Sequence, residues 1–253
     1  MAAGLVTATT DSECADDGTR CLRGAASSCA LRAAAPAPKA DAQLRALFKP
    51  AGPRETDELL SNAHIDAVLQ MWAAADATLV PFPFAMIDST EKTPAHPLAA
   101  AVAPCDRGRC FRRLLADGKR AAACVVNTDR TGGRGVHWFA LFVDARDRGA
   151  WTVEYFNSSG RPAHANVLRW MARARSALAA ARAADPAAYG AGPVESLRVT
   201  QLQHQRSNTE CGVYALYYVR ARLDGVPCAR FAQETVSDDL MREFRKHVFR
   251  RCA

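Results

Sequence analysis

His137-Trp138-Phe139-Ala140-Leu141-Phe142-Val143-Asp144-Ala145-Arg146-Asp147-Arg148-Gly149-Ala150-Trp151-Thr152-Val153-Glu154-Tyr155-Phe156-Asn157 is the stretch on which the reading of the whole chain turns. It holds two runs of aromatic and β-branched residues, 137–144 and 151–157, joined by Ala145-Arg146-Asp147-Arg148-Gly149, too short for anything but an antiparallel hairpin. Apolar residues fall on both alternating faces, as in Phe139-Ala140-Leu141-Phe142-Val143, so the sheet is expected to be covered on both sides. A ladder symmetric about Asp147 sets His137 opposite Asn157, on the side shared by Phe139, Leu141, Val153 and Tyr155. Directly opposed residues hold their Cβ atoms about 4.5–5.5 Å apart, close enough for the Asn157 carbonyl to accept a hydrogen bond from the imidazole. A histidine oriented by a carboxamide is half of a nucleophilic triad.

Working outward, residues 121–127 and 197–202 read as further strands, and 165–184 and 211–223 as the helices that cover the sheet. Upstream, Ser61 is a good N-cap for a helix whose Ile65, Val68, Leu69 and Trp72 make one apolar stripe, and the Pro-rich residues 81–104 read as loop with short extended pieces. Residues 1–40 are poor in large apolar side chains and end in Ala35-Pro36-Ala37-Pro38-Lys39, the composition of a flexible arm. The expected organisation is that arm followed by a single domain over 41–253, mostly helical in 41–120 and carrying the catalytic core in 121–253.

The nucleophile candidate is Cys211, in Gln205-Arg206-Ser207-Asn208-Thr209-Glu210-Cys211-Gly212-Val213-Tyr214. It stands where a polar loop gives way to an apolar helix, and the unpaired N–H groups of a helix N-terminus favour a thiolate. Gln205, six residues upstream, can aim its NH₂ at an oxyanion beside the Cys211 N–H, and Gly212 leaves room for a substrate. Gln203 competes with Gln205 for that role, and Asp144, Glu154 and Asp129 are lesser alternatives to Asn157. His64, His96, His164 and His247 have no partner pattern and read as surface or capping residues.

Composition narrows the field. With 49% apolar and 23% charged residues over 253, the chain can build a globular enzyme. No stretch nears the run of about 18 apolar residues that a membrane span needs, and residues 1–12 do not read as a signal peptide. Nine cysteines without a C-x-x-C pair read as reduced thiols in a soluble intracellular protein. Neither Cys14, Cys21 and Cys29 nor Cys105 and Cys110 stand at zinc-site spacing, so no metal or cofactor is expected. The net charge of +7 is concentrated in 161–182, which holds five arginines and no acid, and in 242–251. Such surfaces attract polyanions, and non-specific DNA contact is one expectation, against the plainer reading of a solvated helix face.

The combination of His137-Trp138, the strand ending Tyr155-Phe156-Asn157-Ser158-Ser159-Gly160, and Gln205 ahead of Glu210-Cys211-Gly212-x-Tyr214 resembles the cysteine proteases that process ubiquitin-like proteins, the SUMO proteases. It is similar above all to their relatives in large DNA viruses, the maturation proteases of the African swine fever virus, poxvirus, iridovirus and adenovirus type. Asn127-Thr128-Asp129 is similar to the viral branch, and Leu60-Ser61-Asn62-x-x-Ile65 to the family's upstream helix motif, with Leu59 where a tryptophan is often found. The resemblance covers roughly residues 59–223.

It implies an α+β, papain-like or adenain-like fold: a central mixed sheet flanked by helices, with the nucleophile at a helix N-terminus. It also implies a Cys211-His137-Asn157 triad with Gln205, and substrate contacts by Trp138, Gly212 and Glu210. Asn157 departs from the aspartate of SUMO proteases, since an amide fixes the imidazole but does not offset its charge. The implied activity is cleavage after small residues, Gly-Gly-x or Gly-x-Gly, in structural or core precursors during virion maturation, in the virion and the host cytoplasm. Removal of SUMO or another ubiquitin-like modifier, in a reducing intracellular compartment, is the alternative. A catalytically silent scaffold or nucleic-acid-binding protein is a third. The partner is a protein substrate, and the sequence leaves the oligomeric state open.

Overall fold

The computed structural model describes residues 49–55, 57–91, 96–105 and 110–250. The arm expected over 1–40 lies outside these residues. In chain order come helix α1 (Asn62–Ala75), strands β1 (Leu79–Pro81) and β2 (Ala85–Met86), a 3₁₀ turn (Ile87–Thr90) and short helices α2 (Pro97–Ala101) and α3 (Phe111–Ala116). Next are β3 (Ala121–Asn127), β4 (Trp138–Asp144), β5 (Trp151–Phe156), helices α4 (Ala165–Ala184) and α5 (Pro186–Tyr189), and β6 (Val194–Val199). Helices α6 (Cys211–Leu223), α7 (Cys228–Gln233) and α8 (Asp238–Val248) close the chain.

The sheet runs β1-β3-β4-β5-β6, with β2 also paired to β3. β3-β4 and β4-β5 are antiparallel, and the pairings of β1 and β2 with β3 and of β5 with β6 are parallel, so the sheet is mixed as expected. Strict alternation along β3 and β4 sorts their side chains into two cores. Ala121, Ala123, Val125, Trp138, Ala140 and Phe142 face α1, α6, α7 and α8. Ala122, Cys124, Val126, Phe139, Leu141 and Val143 face α2, α3 and α4.

α1 begins with a reciprocal cap: Ser61 Oγ accepts from the His64 N–H, and His64 Nδ1 accepts from the Ser61 N–H. The helix buries Ile65, Val68, Leu69 and Trp72, the stripe read from the sequence. Residues 41–120, expected to be mostly helical, also supply β1 and β2.

Four expectations need correction. The β4-β5 ladder is symmetric about Arg148, with Ala140 facing Phe156 and Leu141 facing Tyr155. His137 and Asn157 are therefore diagonal neighbours beyond the last rungs. A slip of two residues keeps every side chain on its own face, which is why the pairing of the two survives it. The last strand is Val194–Val199 and not 197–202, because Gln201 adopts φ 74° and turns the chain away, its N–H bonded to the Gly160 carbonyl. Cys105 and Cys110 are joined in a disulfide, their Cα atoms 5.4 Å apart, so the expectation of uniformly reduced thiols does not hold there. Finally, the arginines of 161–182 do not form one free basic patch. Arg182 is buried, donates to the carbonyls of Gly190, Pro193 and Arg148 and lies over the Trp151 ring, while Arg169 pairs with Glu91 and Arg173 donates to the Val102 carbonyl.

Candidate active site

The site lies at the end of the sheet where β4 begins and β5 ends. Asn157 follows β5 and is 2% exposed. Its Oδ1 accepts from His137 Nε2 at 2.7 Å, from the Ser159 N–H at 3.0 Å and from Ser159 Oγ at 2.8 Å, and its Nδ2 donates to Tyr155 Oη at 2.9 Å. The Ser159 N–H can only donate, so the atom facing it, and facing His137, is the amide oxygen. The imidazole proton is then on Nε2, and Nδ1 is the basic nitrogen of the neutral ring.

Cys211 is the first residue of α6 and is 3% exposed. Burial pushes its thiol up, and the backbone N–H groups of Trp138, Gly212 and Cys211 itself pull it back. The thiol therefore lies against the residue that follows His137. Nearby Glu210 works against the thiolate. Burial holds His137 below the ordinary imidazole value, the Asn157 bond opposes this, and the charge of Arg161 adds to the lowering. Burial thus works against the charged forms of both the thiol and the imidazole, opposite to the pull of the helix N-terminus.

Gln205 is buried and held at both ends of its amide: Oε1 accepts from Ser158 Oγ at 2.8 Å and Nε2 donates to the Ser207 carbonyl at 2.8 Å. The N–H groups of His204 and Gln205 both donate to the Ser158 carbonyl, which ties this loop to the exit of β5. Gly160, at φ 70°, completes the tie: a Cβ there would meet the Leu202 backbone at 3.0 Å, so the turn after Asn157 needs a glycine. Gln203 is exposed and donates to the Gln205 carbonyl, a supporting position. Trp138 packs edge-on against Phe84 and donates from Nε1 to the Leu60 carbonyl at 3.2 Å.

Two expected substrate contacts turn inward. Glu210 is 1% exposed and pairs with Arg245 on α8 at 2.9 Å, so it offers a substrate no surface. A carboxylate left in that pocket alone would carry a large desolvation cost, and Arg245, which also donates to the Glu58 carbonyl, is what the sequence motif could not display. The space beside Gly212 is filled by Leu60 and Trp138: an added Cβ would lie 3.1 Å from Leu60 Cβ and 3.3 Å from Trp138 Cδ1. The glycine is needed for the close approach of these two side chains.

The alternatives to Asn157 are engaged elsewhere. Asp144 pairs with Arg146 and Arg222, and Glu154, fully buried, with Arg222 and Tyr218. Asp129 accepts from the Gly135 N–H in the loop before His137. His64 and His96 cap helices, as expected of them. Among the described residues no group of three or more His, Cys, Asp or Glu is placed to hold a metal ion, and no helix is long and apolar enough to cross a membrane.

The fold has relatives among known proteins. Residues 122–253 match the model of the Ulp1 protease family, C-terminal catalytic domain. The chain is 37% identical over 214 residues to the SUMO-1 cysteine protease S273R of African swine fever virus, isolate Tick/South Africa/Pretoriuskop Pr4/1996, spanning 82% of this chain and 74% of the relative. A crystal structure of the African swine fever virus pS273R protease superposes with a TM-score of 0.65 at 34% identity, covering 81% of this chain and 72% of that one. A selenomethionine crystal structure of the same viral protease gives 0.64 at 34% identity, covering 86% and 80%. With a mixed sheet between two helical layers and a cysteine at the head of the inner helix, the chain belongs to the Ulp1 family of cysteine proteases.

Proposed function

We propose that this protease works through Cys211 as nucleophile, His137 as general base and acid, Asn157 as the group that orients the imidazole, and Gln205 as an oxyanion donor. The observation that carries the reading is the His137 Nε2 to Asn157 Oδ1 bond of 2.7 Å, one residue from the Trp138 N–H against which the Cys211 thiol lies at the start of α6. His137 Nδ1 takes the thiol proton as sulfur attacks the scissile carbonyl. The Cys211 N–H and the second hydrogen of Gln205 Nε2, the one not committed to Ser207, receive the developing oxyanion. His137 returns the proton to the leaving amine, and water, deprotonated by the same ring, hydrolyses the thioester. Trp138 walls the cleft. Residues 41–253 act as one catalytic domain, a reading supported by the bridge of Ala51 to Arg250 and by the reach of Arg245 to the Glu58 carbonyl.

The substrate we favour is a viral structural or core precursor cut after Gly-Gly-x or Gly-x-Gly, in the virion or the cytoplasm of an infected cell. Support comes from the African swine fever virus relatives and from Asn157 in place of the SUMO proteases' aspartate. The second reading, removal of a SUMO-like modifier, draws on the printed name of those relatives, which includes SUMO-1. Incubation with a Gly-Gly-x precursor peptide beside a purified SUMO conjugate separates the two. Cleavage of the peptide alone is expected, and efficient cleavage of the conjugate alone reverses the ranking. Labelling by a thiol-reactive peptide probe is expected to vanish in Cys211→Ala, and equal labelling of both proteins overturns the assignment of the nucleophile.

A further inference from the structure

We infer that Tyr155 is a positioning residue that, from the side opposite the Ser159 N–H, holds the Asn157 amide the right way round, and so gives His137 a single tautomer with Nδ1 free to act as base. The inference rests on the reading of Cys211, His137 and Asn157 as a triad. An asparagine has two ends of nearly the same shape and opposite hydrogen-bonding role. Turned over, it would present Nδ2 to the imidazole, whose Nε2 would then have to accept. The ring proton would move to Nδ1, and the neutral histidine could take no proton from the thiol there.

Two backbone groups of fixed role settle the orientation, one on each side of the amide. On the oxygen side the Ser159 N–H, which can only donate, lies 3.0 Å from Asn157 Oδ1. On the nitrogen side the Arg161 carbonyl, which can only accept, takes the Tyr155 O–H at 3.2 Å. That donation leaves the Tyr155 oxygen to accept from Asn157 Nδ2 at 2.9 Å. Tyr155 thus relays the polarity of a backbone carbonyl to the triad amide. Its ring is buried on β5 against Phe139, with centroids 5.2 Å apart, which fixes where the hydroxyl stands.

An aspartate has no wrong way round, because both its oxygens accept. The relay is needed only where position 157 carries an amide, and this ties Tyr155 to the departure from aspartate. Tyr155→Phe, which keeps the ring packing, Asn157→Asp, the double variant and Asn157→Ala are compared with wild type on one peptide substrate, with thermal melting to establish folding. Tyr155→Phe is expected to lower kcat about tenfold with KM unchanged in the wild-type background, the cost of leaving a buried amide N–H unpaired. In the Asn157→Asp background there is no amide to turn over, and the same change is expected to cost less than in the wild-type background. Equal losses in both backgrounds, or no loss in the first, overturn the inference, since a merely structural tyrosine gives the former and an idle one the latter.

Imidazole ¹⁵N chemical shifts give a second readout that needs no activity. Wild type is expected to hold His137 as the Nε2–H tautomer and Tyr155→Phe as a mixture, whereas one unchanged tautomer in both overturns the role of Tyr155. Full activity in Asn157→Ala sinks the triad reading and this inference with it. Loss there without loss in Tyr155→Phe sinks the inference alone.

Discussion

His137 does its work under two opposing influences, and their balance sets a measurable pH dependence. Burial and the Arg161 charge depress its basicity while the bond to Asn157 supports it, and the net value lies below 6.5. A protonated ring cannot take the thiol proton, so activity is retained above this lowered value and lost as pH falls through it. The acid limb of kcat/KM is therefore expected below pH 6.5, and a midpoint above that value would contradict the assignment of His137 as base. Replacing Arg161 with Gln removes a nearby cation, makes the imidazolium easier to form and moves the limb to higher pH. The shift is expected to be about a few tenths of a unit, since the Arg161 side chain is exposed and screened. Raising the salt concentration moves it the same way.

At the scale of elements, α6 is held at its N-terminus by two contacts far apart in sequence. Gly212 lets the helix approach Leu60 and Trp138. Helix propensity favours alanine over glycine by about 1 kcal/mol, and overpacking costs about 1–3 kcal/mol, so overpacking prevails wherever the neighbours cannot yield. Gly212→Ala is expected to lower the unfolding midpoint in denaturant and Gly212→Val to lower it further; an unchanged midpoint would mean that Leu60 and Trp138 move aside freely. The Glu210–Arg245 pair locks α8 to the head of α6. Arg245→Met leaves a buried carboxylate unpaired beside the thiol, with an expected loss of about 3–5 kcal/mol in urea unfolding and slower alkylation of Cys211. Adding Glu210→Met should recover much of the stability, and a double variant no better than the single one would show that the pair's geometry matters more than its charge. Ser237 caps α8, Asp238 and Asp239 open it and Arg245, Lys246 and His247 close it, local signals that charge taken alone reduces to a basic tail.

For the whole molecule, the sheet divides the interior into two cores and carries the site at the sheet end. Behind the site, Arg222 of α6 is clamped to Glu154 and Asp144 and Tyr218 donates to Glu154, so the inner helix is fixed to β4 and β5 along its length. Charge pairing also bears on DNA. Among the described residues, Arg182 is buried and Arg169 is paired with Glu91, so the arginines of 161–182 do not make one free basic stripe. Binding to random duplex near 0.15 M salt is expected to be no tighter than the non-specific range of about 10⁻⁴–10⁻⁶ M. A nanomolar affinity with a steep salt dependence would instead support DNA contact through the basic surface.

What the sequence determined by itself is what depends on neighbours along the chain. Alternation in 137–144 and 151–157 assigned faces to side chains, the polar-to-apolar change at Cys211 placed a thiol at a helix N-terminus, and Ser61 marked the start of α1. These are local because backbone periodicity and capping act within a turn or a strand. The tertiary structure alone decided the two-residue shift of the β4-β5 ladder, the inward turn of Glu210 toward Arg245, the filling of the space at Gly212 by Leu60 and Trp138, and the hold of Ser159 and Tyr155 on the Asn157 amide. Most of these depend on which residues the fold brings within about 3 Å of one another, and hydrogen bonds and steric contacts at that range leave no periodic trace in the chain.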